Sequence, residues 1–145
     1  MEYYRDIYKS WKNDHLKFWA KQSEAVTWEK KPKKILDNSN SPFYKWFPDG
    51  TLNTSYNAID RHVLSGRGDQ DAIIYDSPVT NTKKRITYSQ LQYKVSQFAG
   101  ALTKLSVVKG DRVIIYMPMI PEALVAMLAL SLIHISEPTR QCSIS

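Results

Sequence analysis

The sequence predicts an α/β fold, with an N-terminal helical cap followed by the opening strand-helix-strand-helix of a layered domain. Three observations carry this. Two short apolar, β-branched runs, "AIIYD" (Ala72 to Asp76) and "RVIIYM" (Arg112 to Met117), bracket a stretch with helical spacing. In that stretch Leu91, Val95, Phe98, Ala99, Leu102 and Leu105 recur every three or four residues. Ahead of both lies an aromatic-rich region, Glu2 to about Trp28, patterned as helix.

In that first region Asn13 or Asp14 is placed to accept free amide hydrogens as an N-cap. Leu16, Trp19, Ala20 and Ser23 then share a face, with Trp11 and Trp28 flanking them. The aromatics read as anchors to a larger body rather than as a base-stacking platform. The basic run "EKKPKK" (Glu29 to Lys34) reads as solvated surface, and Pro32 forbids a regular helix there. Pro48-Asp49-Gly50 is a turn, because proline presets φ and glycine accepts φ > 0. Short strands are expected on either side, at Tyr44 and Trp46 and at Thr51 and Leu52. "NAIDRHVL" (Asn57 to Leu64) predicts a short helix closed by Gly66. Arg67-Gly68-Asp69 then turns the chain into the first apolar strand.

Beyond that strand "SPVTNTKK" is a polar turn and "RITY" (Arg85 to Tyr88) a second strand edge. Ser89 and Gln92 have capping-box spacing and predict the helix start. Lys109-Gly110-Asp111 closes the connection, and the run from Arg112 to Met117 predicts a strand buried on both faces. Pro118 stops it. Pro121 suits the first turn of the last helix, with Glu122 near its positive end.

Composition bounds the function. The chain has 145 residues, enough for about one domain. Its 43% hydrophobic and 23% charged residues are those of a globular protein, and the net charge of +6 would suit an anionic partner. The one cysteine, Cys142, excludes an internal disulfide framework and a cysteine-based zinc site, which suits an intracellular, reducing setting. The start lacks an apolar signal core, and its acidic residues count against a transit peptide. Met117 to Ile135 is apolar, but Pro118, Pro121 and Glu122 crowd its start, so it reads as a core helix and not a membrane span.

Catalytic patterns are missing. Neither GxGxxG nor GxxxxGK[ST] occurs, nor a nucleophile elbow, nor HExxH. His15, His62 and His134 lack metal-ligand spacing. Asp60-Arg61-His62 tempts a catalytic reading, but neighbours on a helix point apart, so ion pairing is expected of them instead.

Three segments carry a more specific signal: "WFPDGTLNTSYNAIDRH", "AIIYDSP" and "KGDRVIIYMPMIPEALVAMLA", with the earlier Phe18-Trp19. They resemble the N-terminal part of AMP-forming short-chain acyl-CoA synthetases, the acetyl- and propionyl-CoA synthetase group. "AIIYDSPVTNTK" is most similar to a propionate-preferring mitochondrial branch. The resemblance runs from about Tyr3 to Ala129. It implies the adenylate-forming enzyme fold, with residues 1–65 a helical and loop cap and residues 66–129 an incomplete start of the large domain. It implies a ligase using ATP, Mg²⁺ and coenzyme A on propionate or acetate, in the mitochondrial matrix or the cytosol. Small molecules are then the partners, with no nucleic acid and no membrane span. The family's phosphate loop, nucleotide-holding residues, coenzyme A segment and catalytic lysine have no counterpart here. No catalytic, cofactor-binding or metal-binding residue therefore falls on a numbered position, and no activity is expected of this chain itself. A non-catalytic interaction module and a basic nucleic-acid-binding protein are the alternatives.

The last segment has a resemblance of its own. "LSLIHISEPTR" (Leu130 to Arg140) is similar to the in-frame translation of a transposase adapter used in sequencing libraries. Residues 130–145 are accordingly expected to be foreign to the protein, with His134 and Cys142 carrying no function.

Overall fold

The computed structural model describes residues 3–133. His134 and Cys142 lie outside the described residues. The chain forms two compact units, one through Leu52 and a second from Asn53 onward.

The first unit opens with α1 (Tyr4–Asn13) and α2 (His15–Gln22). They occupy most of the region expected to be helical to about Trp28. Asp14 adopts extended φ/ψ and its carboxylate accepts the Lys17 amide hydrogen at 2.9 Å, so the anticipated cap both ends α1 and starts α2. One 3₁₀ turn, Ser23–Ala25, follows, and Trp28 Nε1 donates to the Ser23 carbonyl at 2.8 Å.

Next come two antiparallel strands of two residues each, β1 (Leu36–Asp37) and β2 (Lys45–Trp46). The segments expected as short strands on either side of the Pro48 turn do not pair with each other. Thr51 bridges back to Lys30 instead, and Trp46 pairs with Leu36. The reason lies in Asp49, whose two carboxylate oxygens accept the amide hydrogens of Lys33 and Lys34 at 2.9 and 3.1 Å. That clip draws the basic run across the turn and holds the Asp49 carboxyl below the usual range. Gly50 is required by close approach, since a Cβ there would stand 2.8 Å from the Trp28 ring. Trp28, Phe47, Trp46 and Trp19 form a continuous aromatic chain, with ring centroids 5.4 to 6.2 Å apart. At its edge the Lys34 ammonium, with help from Ser39, lowers the Asp37 carboxyl to about 2. The ordinary value is 3.8, so this contribution is present above that pH and lost as pH falls toward 2.

The second unit begins with two π-helical turns, Tyr56–Asp60 and Val63–Arg67, where an α-helix was expected. Gly66 does end the helical path, at φ +81. Then β3 (Asp71–Ser77) and β4 (Thr82–Thr87) form an antiparallel hairpin with a bulge at Ala72. Asn81 takes the left-handed turn position at φ 48.

The chain passes directly into α3 (Tyr88–Lys104). Its capping box is Thr87 with Gln90, not Ser89 with Gln92. Gln90 N donates to Thr87 Oγ1 at 3.3 Å and Thr87 N donates to Gln90 Oε1 at 3.1 Å. Of the expected stripe Leu91, Val95, Ala99 and Leu102 are buried, whereas Phe98 and Leu105 face outward.

The run from Arg112 to Met117 forms no ladder. This corrects the expected double-sided buried strand, since Ile114 is 92% and Tyr116 100% exposed. An apolar run states a demand for burial and supplies no partner strand. The observed order is thus strand, strand, helix, helix within a mixed α/β architecture. Finally α4 (Pro121–Ile133) packs on α3 and buries Val125, Ala126 and Ala129. No described helix is long and apolar enough to cross a membrane.

Candidate functional site

The three side chains that most invite a catalytic reading diverge. Asp60 turns to α3, where Gln92 Nε2 donates to its carboxylate at 2.6 Å. Arg61 reaches back one turn, donating to Asn57 Oδ1 at 3.3 Å. His62 tilts against the Tyr88 ring, centroids 5.0 Å apart, and its Nδ1 accepts from Arg67. Three neighbours in sequence therefore tie three different places together. Asp60, of which ion pairing was expected, instead accepts from the very Gln92 that had been read as a helix cap.

The Arg67-Gly68-Asp69 turn is equally structural. Ser89 N donates to the Gly68 carbonyl at 3.0 Å, and any Cβ at position 68 would run into the Ser89 hydroxyl. Gly68 thereby ties the turn to the start of α3.

One groove in this unit gathers polar chemistry. It holds about 580 Å³ between β4, the first turns of α3 and the start of α4. Lys84, Arg85 and Lys94 line it with Ser89, Gln90 and Glu122. Local structure explains the grouping. The Thr87 cap turns β4 straight into α3, so the strand's cations and the first helical turn share one wall. Arg85 is committed in part, donating to Asp71 across the hairpin at 2.6 Å. The groove is mixed in charge.

The donor set does not fit the groups that the resemblance implies. Among the described residues no three His, Cys, Asp or Glu side chains come together to hold a metal ion. The glycines, five in all, form no phosphate cradle. No reaction step is therefore routed through these side chains.

Comparison with known proteins gives the chain its place. Residues 4–58 match the family model described as acetyl-coenzyme A synthetase N-terminus, and residues 60–135 match that described as AMP-binding enzyme. The chain is 56% identical over 116 residues to the mitochondrial acyl-CoA synthetase short-chain family member 3 of Bos taurus, covering 80% of this chain and 17% of that protein. It is 52% identical over 124 residues to an acetyl-coenzyme A synthetase of Streptomyces coelicolor, covering 86% of this chain and 19% of that one. Among solved structures, acetoacetyl-CoA synthetase from Streptomyces lividans superposes with a TM-score of 0.74 at 31% identity, over 86% of this chain and 19% of that one. The chain thus spans less than a fifth of the length of the relatives it matches. The two models abut in sequence order, and they meet beside Asp60 in the same Asp-Arg-His stretch whose side chains diverge. By these matches the chain belongs to the AMP-binding enzyme family, joined to an acetyl-coenzyme A synthetase N-terminus.

Proposed function

We propose that the chain is the amino-terminal portion of an AMP-forming short-chain acid–CoA ligase. The observation that carries this is the ordered pair of family matches, 4–58 then 60–135, with 52–56% identity to named acyl- and acetyl-CoA synthetases. In the proposed reaction the carboxylate of propionate or acetate attacks the α-phosphate of ATP. Pyrophosphate leaves and an acyl adenylate remains. The coenzyme A thiol, losing its proton, then displaces AMP. Mg²⁺ would neutralise the phosphates, and residues beyond the 145 of this chain would supply its ligands and the phosphate loop.

The chain by itself is proposed to be inactive, because its described side chains offer neither a phosphate cradle nor a metal set. A pyrophosphate-release assay with ATP, Mg²⁺, coenzyme A and either acid should give no turnover. Turnover above the protein-free control would overturn that reading.

The mitochondrial name of the Bos taurus relative supports a matrix location, and the bacterial relative keeps the cytosol as the alternative. The same reading takes residues 1–65 as the cap, 66–129 as the start of the large domain and 130–145 as foreign. The AMP-binding match runs past Ala129 to residue 135, so the genomic reading frame beyond that codon decides the point.

A further inference from the structure

We draw no further inference here: the strongest candidate, the groove between β4, the start of α3 and the start of α4, gathers Lys84, Arg85 and Lys94 at a helix N-terminus that the Thr87–Gln90 capping box already satisfies, and nothing in the structure shows what would occupy it.

Discussion

Leu91 sits on α3 and Leu105 is the residue that caps its end; they carry the same side chain, yet they do different work. Leu91 is 3% exposed, in the cluster with Val95, Ala99 and Val125, while Leu105 is 75% exposed at the helix end. Removing three carbons from the first leaves a cavity between α3 and α4, whereas removing them from the second changes only surface. Leu91→Ala should therefore destabilise by about 2–5 kcal/mol and Leu105→Ala by no more than about 0.5 kcal/mol, read from urea midpoints. At this scale periodicity was a sound guide to four of the six stripe residues. It failed at Phe98 and Leu105, because a helix wraps its stripe past the edge of the neighbour it packs on. Asp60 was illegible for a different reason: its partner Gln92 is distant in sequence, and hydrogen bonds of that range leave no local pattern.

Among the elements, the start of α3 shows how two sequence signals compete. Thr87-x-x-Gln90 and Ser89-x-x-Gln92 both satisfy the capping-box spacing. The hairpin decides between them, because β4 pairs through Thr87 and the chain becomes free to coil only after it. Thr87→Ala should cost about 1 kcal/mol and Ser89→Ala less than about 0.5 kcal/mol, by thermal unfolding. The break at Asp14 and the polar turn after β3 could be read directly, since each is made by local chemistry. The pairing of β1 with β2 could not, for two-residue strands have no period and the Asp49 clip that arranges them spans fifteen residues or more. The Arg112 to Met117 run was misread for lack of a partner, which no property of the run itself reveals.

Across the whole molecule, that unladdered run is the main liability. Ile114, Tyr116 and Met119 are each more than nine-tenths exposed, close together on one extended stretch. Apolar surface of this kind draws chains together. Light scattering should rise with concentration, and Ile114→Lys with Met119→Lys should suppress the rise. A chain that stays monomeric at all concentrations would refute this. Glycine loops are legible in any sequence by their spacing. The basic groove was not, because Lys84, Lys94 and Glu122 converge only once β4, α3 and α4 are in place.

The aromatic chain of the first unit has one more consequence, and it is optical. All four tryptophans, Trp11, Trp19, Trp28 and Trp46, precede Leu52, and none falls in the second unit. Trp28 is pinned by its bond to Ser23 and by contact with Gly50, so its emission should shift when the Asp49 clip opens. Indole fluorescence is thus a private channel for one half of the chain. The hairpin and helices of the other half must be followed by tyrosine or by circular dichroism, and a difference between the two signals would show the units melting one at a time.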